Sequence, residues 1–259
     1  LNGKNLNKEG FTMSQQDNPL KDILIGKMSK AWAENNQIPV NYLPQTESTN
    51  ALAKHTDLAD NDFCLFITDL QTAGKGRGQN TWQSIKGSSL LSTWTFYLPA
   101  APHSSFTSRV GLALWRALKT TWTFVPFALK APNDIYVNDK KLAGILIETV
   151  TQGSEVITHI GVGLNVLTAP EEVATATSLI HSLPKSLPLQ GQDWVRFLDR
   201  FFFELTEAIT SADEALTATD RENLKVALNE FVLLETKYDD VLETAELMTN
   251  GKKIPWSQI

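Results

Sequence analysis

The chain carries a single cysteine, Cys64, so no internal disulfide can form and a reducing compartment, the cytoplasm, is the expected setting. Cys64 lies in the apolar run 63–67 and reads as a small buried hydrophobe. No run of about 18 apolar residues occurs, so no membrane-spanning helix is predicted. The first residues, LNGKNLNKEGFT, lack the apolar stretch of a signal peptide and read as a polar leader, disordered over 1–18, outside the fold. The four histidines, His55, His103, His159 and His181, never approach H-E-x-x-H or Cys/His ligand spacing, so no protein-held metal centre is expected. The G-x-S-x-G elbow and the G-x-x-x-x-G-K-[ST] phosphate loop are also missing, which removes common lipases and P-loop enzymes. Basic charge is in short supply: the net charge is −6, which argues against a broad nucleic-acid footprint.

What is present describes an ordinary globular protein, 42% hydrophobic and 20% charged over 259 residues, with room for one large or two unequal domains. The stretch that organises it is QTAGKGRGQNTW, Gln71 to Trp82. Three glycines, Gly74, Gly76 and Gly78, alternate with Lys75 and Arg77 between two strand-like runs, 63–70 and 89–98. Glycine lets backbone approach a ligand closely, and flanking cations suit an anionic group. A flexible soluble connection is the competing reading of the same loop.

Helical spacing predicts helices over 19–36, 51–58, 105–122 and 220–234, and one that Asp193 caps, with an apolar stripe of Trp194, Phe197, Leu198, Phe201, Phe202, Leu205 and Ile209. The helix at 19–36 is not followed by the further helices of a helix-turn-helix, so no DNA partner is expected. Residues 39–43 are a short strand candidate. Four strands, 127–131, 135–137, 141–150 and 155–166, are separated by turn residues too few for anything but antiparallel neighbours. Residues 168–192 read as loop, and 241–256 as a strand-turn-strand tail around Asn250-Gly251.

On the strand at 155–166 the period of two sets His159, Gly161, Gly163 and Asn165 on one face. Two glycines in succession bare that face, and close approach of a ligand is expected there, helix packing being the alternative. Lys130, held by Pro132 at the sheet's rim, should project beside Lys141, Lys75 and Arg77. Cations converging on a cleared patch suit a triphosphate and a reactive carboxylate, hence adenylyl or phosphoryl transfer driven by positioning and charge. Ser48 and Thr49 have a local explanation as N-cap of the following helix, compatible with hydroxyls that face a ligand.

In motif order and spacing, residues 39–210 resemble the biotin protein ligases. The matching segments are Ser48-Thr49-Asn50, Gln71 to Trp82, Lys130 with Pro132-Asn133-Asp134, Lys141 to Glu148, and Gly161-Val162-Gly163-Leu164-Asn165. The resemblance implies an α/β (α+β) fold similar to class II aminoacyl-tRNA synthetases, a mixed and largely antiparallel sheet flanked by helices. The catalytic domain would span 19–234 and a reduced C-terminal β segment 235–259. It implies that biotin and Mg-ATP (with Mg2+) give biotinyl-AMP, and that a lysine of a biotin carboxyl carrier protein then takes the biotinyl group. By the same resemblance Ser48, Thr49, Asn50, Gln71, Gly74, Lys75, Gly76, Gly161 and Gly163 would serve biotin. Arg77, Trp82, Lys130, Asn133 and Asn165 would serve the nucleotide, with Lys130 and Arg77 catalytic.

The chain departs from the family pattern at Ala131, where tryptophan is usual, and at Lys75, where arginine is commoner and offers a bidentate fork. A winged helix is not seen, which leaves DNA out, and a monomer or weak homodimer is expected. A lipoate or octanoate transferase of the same fold, or a non-catalytic biotin-binding regulator, remain as alternatives.

Overall fold

A computed structural model describes residues 24–56, 62–153 and 155–254. The expected leader and the first residues of the helix predicted from 19 fall outside this range, as does Leu58. In chain order the elements are α1 Ile25–Asn35, β1 Val40–Leu43, α2 Thr49–Lys54, β2 Phe63–Thr68, β3 Ser89–Leu98, α3 Phe106–Thr121, β4 Phe127–Lys130, β5 Asp134–Val137, β6 Lys140–Gln152 and β7 Glu155–Asn165. They continue with α4 Leu179–Ser182, α5 Gly191–Thr210, α6 Ala218–Asn229, β8 Asp240–Val241, β9 Leu247–Thr249 and β10 Lys252–Ile254.

Seven strands form one mixed sheet in the order β1-β2-β3-β7-β6-β5-β4. Only the β1–β2 pair is parallel. The expected antiparallel run is therefore present, with short turns joining β4 through β7. On β7 the alternation sends Ile160, Val162 and Leu164 into the main core, where they are essentially fully buried. The opposite face carries His159, Gly161 and Gly163. On the core face Trp94 of β3 packs edge-on against Phe201 of α5, and Trp32 of α1 sits 6.1 Å from Trp94 between ring centroids. These large buried rings anchor the helices to the sheet.

Gly26 in the first turn of α1 is there for contact, because a Cβ would fall 2.4 Å from Asp69 Oδ1. The helix expected to begin at Asp193 starts one turn earlier. Gln190 is its N-cap, and Asp193 at the third position accepts the Gln190 backbone N–H at 3.4 Å. α6 begins after Thr217, whose hydroxyl accepts the Asp220 N–H at 3.1 Å. It stops at Asn229 instead of 234, since the Asn229 amide takes the Tyr238 N–H and donates to the Tyr238 carbonyl, at 2.9 and 3.0 Å. That tie turns the chain into a small three-stranded antiparallel sheet, β10-β9-β8. Asn250 and Gly251, at φ 50 and 71, supply the left-handed pair that a tight two-residue hairpin needs.

Behind the main sheet, Asp220 accepts Arg109 and Arg116 at 3.2 and 2.8 Å, and Glu204 meets Arg116 and Arg200. Burial alone would push the Asp220 carboxyl up, but the Arg116 and Thr217 hydrogen bonds and both guanidiniums hold it below the usual range. This network ties α3, α5 and α6 together.

Candidate functional site

A cavity of about 490 Å³ opens on the glycine-bearing face of the sheet. One end is built by α2 and the loop after β2. Ser48 occupies the N-cap position of α2 yet makes no side-chain cap bond. The capping is done from outside: Gln71 Oε1 accepts the Thr49 backbone N–H at 2.8 Å and lies 3.1 Å from the Thr49 hydroxyl. Ser48, Thr49 and Gln71 line the cavity, side chains that together offer donors and acceptors.

The loop 71–82 is folded back on itself. Trp82 N–H donates to the Gly74 carbonyl at 2.9 Å, Gly76 N–H to the Asn80 carbonyl at 2.8 Å, and Lys75 pairs with Thr81. Gly78 turns the tip at φ +61. Lys75, Gly76 and Arg77 reach the cavity wall. Gly74 does not line it. A Cβ at Gly74 would lie 2.4 Å from the Trp82 carbonyl, so a glycine is needed here to close the loop.

The glycine patch has occupants of its own. A Cβ on Gly161 would fall 2.4 Å from Asn50 Oδ1, and one on Gly163 would fall 2.5 Å from the Trp82 indole, which also covers Gly144. Side-chain packing accounts for part of the bared face, and Gly144, Gly161 and Gly163 also line the cavity, where a ligand was expected from sequence. Asn50 is itself fully engaged, donating to Glu148 Oε2 at 2.8 Å and accepting from Thr93 at 2.6 Å. Asn165, expected at the nucleotide, is buried away from the cavity; its amide accepts from Ser89 at 3.3 Å and donates to the Thr177 carbonyl at 3.1 Å. Both asparagines hold the walls in place.

The other end of the cavity is cationic. Arg77 donates to Asn133 Oδ1 at 3.4 Å, while the Asn133 amide nitrogen donates to the Ile145 carbonyl. Lys130 lines the cavity with its ammonium 5.4 and 5.8 Å from the ring centroids of Tyr136 and Phe231. Aromatic faces stabilise a cation without neutralising it. Lys141 is the residue to which sequence reasoning gave no role beyond a neighbouring charge. Its ammonium reaches the cavity beside Gly144, pairs with Asp134 Oδ2 at 2.7 Å and lies 5.8 Å from the Trp82 ring centroid. A register shift between Ile135 and Tyr136 sets which way it points. The available signal was Gly144 three residues on, a second bare position in register with Gly163. Three cations, Arg77, Lys130 and Lys141, thus gather around Asn133 and Asp134 at one end of the cavity, Lys75 lines it as well, and the α2 end carries the neutral polar groups of Ser48, Thr49 and Gln71.

Below α2, Glu148 pairs with Lys54 and Asn50. Burial raises its carboxyl, and the Lys54 and Asn50 hydrogen bonds outweigh this to hold it below the ordinary range. Opposite it, His159 is held down at about 4 by burial and by the Lys54 charge, against an upward pull from Glu148. It is neutral at pH 7, its Nδ1 3.1 Å from the Thr95 hydroxyl. Among the described residues no group of three or more His, Cys, Asp or Glu is placed to hold a metal, and no helix is long and apolar enough to cross a membrane.

Residues 42–166 match the model of the biotin/lipoate A/B protein ligase family. A biotin–[acetyl-CoA-carboxylase] ligase of Mycobacterium tuberculosis is 33% identical over 198 residues, covering 73% of this chain and 69% of that protein. Other curated relatives are matched over less than half of their own length. Among solved structures, the biotin protein ligase of Aquifex aeolicus with biotin and ATP superposes with a TM-score of 0.61 at 22% identity, over 83% of this chain and 95% of that one. The Leishmania major biotin protein ligase with biotinyl-5-AMP gives 0.53 at 26% identity, over 68% and 80%. Family model, extended sequence identity and shared fold together place the chain in the biotin/lipoate A/B protein ligase family, among its biotin protein ligases.

Proposed function

We propose that the cavity takes biotin and ATP, joins them as biotinyl-AMP with release of pyrophosphate, and passes the biotinyl group to a lysine of a biotin carboxyl carrier protein. The observation that carries this reading is the polarity of the cavity: hydroxyls and an amide at the α2 end, and Arg77, Lys130 and Lys141 at the other. The cyclic urea of biotin offers two N–H donors and one carbonyl acceptor, which the Thr49 hydroxyl and the Gln71 amide nitrogen complement. The valerate carboxylate then points toward the cations.

In the first step a carboxylate oxygen of biotin attacks the α-phosphorus of ATP, and the bond to the β-phosphate oxygen breaks. Both reactants are anions, so the wall must offset their repulsion and the charge that builds on the phosphoryl oxygens. Lys141 is best placed for this beside Gly144, with Lys130 and Arg77 flanking it, and Asn133 holding Arg77. Asp134 fits a nucleotide-borne Mg2+. One carboxylate oxygen is engaged by Lys141 and the other is buried without a partner, and such ions use one or two carboxylates plus phosphate oxygens. When bound, the ion would supply further positive charge to the phosphates. In the second step a neutral lysine amine of the carrier attacks the acyl carbon and AMP leaves with the bonding electron pair. The folded-back 71–82 loop shields the mixed anhydride from water until then.

Exchange of labelled pyrophosphate into ATP tests the reading. Exchange that requires biotin is expected; exchange with lipoate in place of biotin would move the chain to the lipoate branch, and binding of biotin without exchange would make it a regulator.

A further inference from the structure

Glu148 lies outside the cavity, yet it begins an unbroken series of hydrogen bonds that ends at the cavity wall. Its Oε2 and the Leu146 carbonyl both receive the Asn50 amide nitrogen, at 2.8 and 3.3 Å. Both are acceptors only, so Asn50 must turn its NH2 toward them and its oxygen the other way. That oxygen faces the Thr93 hydroxyl at 2.6 Å and therefore receives its one proton. With its one proton on Asn50, the Thr93 oxygen can only accept from the Thr49 hydroxyl 2.8 Å away, a nearer acceptor for that proton than Gln71 Oε1 at 3.1 Å, which already receives the Thr49 N–H. Thr49 N–H meanwhile fixes Gln71 Oε1 as an acceptor at 2.8 Å, which leaves the Gln71 NH2 as a donor. Asn50, Thr49 and Thr93 are all at least 97% buried, so water cannot substitute in the series.

Taking the reading of the site given above, we infer that Glu148 is a positioning residue that sets the donor and acceptor pattern of the urea-recognising end through Asn50, Thr93 and Thr49. With a carboxylate at 148, the Thr49 hydroxyl passes its proton inward to Thr93 and presents a lone pair to a ligand N–H, while Gln71 presents a donor to the ligand carbonyl. A side chain at 148 that can itself donate weakens the constraint, leaving only the longer 3.3 Å contact with the Leu146 carbonyl to orient the amide. Asn50 is then free to turn over, and Thr49 free to present a proton where the ligand also presents one. Mismatched buried donors are costly, which is how a site of this kind discriminates.

The test is the KM for biotin and kcat of pyrophosphate exchange in Glu148→Gln and in Lys54→Met. Glu148→Gln is expected to raise KM about tenfold with kcat within about twofold. Lys54→Met breaks the same ion pair but leaves the carboxylate on Asn50, so its KM is expected within about twofold of wild type. An unchanged KM in Glu148→Gln overturns the inference, and so does an equal rise in both variants, which would trace the effect to the ion pair. Should Glu148→Gln not fold, Thr93→Val interrupts the series midway and is expected to give the same KM rise; an unchanged KM there is equally decisive. Lack of biotin-dependent exchange in the wild type would instead remove the functional reading on which the inference stands.

Discussion

At the scale of single residues, the cavity separates the groups that hold its walls from those that can meet a reacting atom. Asn50 and Asn165 stand in motifs that suggested ligand contact, yet both spend their amides on the protein. Lys141 stands in a motif too, and the structure turns its ammonium into the cavity. Replacing Lys141 with alanine is expected to lower kcat/KM for exchange by at least about 100-fold, comparable to removal of a charge-stabilising group in other acyl-transfer sites. The melting temperature should move by only a few degrees, because the side chain is partly exposed. Lys130 packs against Tyr136 and Phe231, so alanine there removes packing as well as charge. Lys130→Met keeps most of the packing, and loss of exchange in that variant with an unchanged melting temperature is the expected sign of an electrostatic role.

At the scale of elements, the loop 71–82 and strands β6 and β7 work as one unit because the Trp82 ring rests on Gly144 and Gly163. Gly163→Ala puts a methyl 2.5 Å from that ring, so the loop must lift. Faster proteolytic cutting within 71–82 and a raised KM for ATP are expected, with the sheet intact by circular dichroism. Arg77→Gly removes the cation that Asn133 holds, and increased biotinylation of bystander lysines is expected as the adenylate escapes; unchanged selectivity would speak against a clamp.

Much of this architecture was legible in the sequence. Strands β4 to β7 announced themselves by alternation and by turns too short for crossovers, and the Asn250-Gly251 hairpin by its φ requirement. Missed features have physical reasons. α4 is one turn long inside a proline-rich loop, and β8 has two residues. α6 ends early because of a bond from Asn229 to Tyr238, nine residues away. The Asn50–Glu148 contact joins positions 98 apart, and the direction of Lys141 depends on a register shift; neither has a local signature.

At the scale of the whole molecule, acid stability reports on His159, buried on the same sheet face as the cavity. His159 is held at about 4 against an ordinary value of 6.5, so the unfolded chain binds more protons between these limits. The stabilisation from keeping it neutral is complete above about 6.5 and is lost as pH falls toward 4. His159→Gln is expected to flatten the dependence of melting temperature on pH in that window, with little change at pH 8. The Asp220 network acts over the helices behind the sheet. Arg116→Met leaves Glu204 buried with less charge compensation and is expected to cost about 2–4 kcal/mol in denaturant unfolding, with the KM for biotin unchanged.

The claim beneath all of this is that one cavity holds an acyl-adenylate between a urea-recognising end and a cationic end. Native mass spectrometry of the chain incubated with biotin and ATP tests it most directly. One biotinyl-AMP retained per chain, and lost in Lys141→Ala, is the predicted result; biotin and intact ATP bound together with no adenylate formed would contradict it.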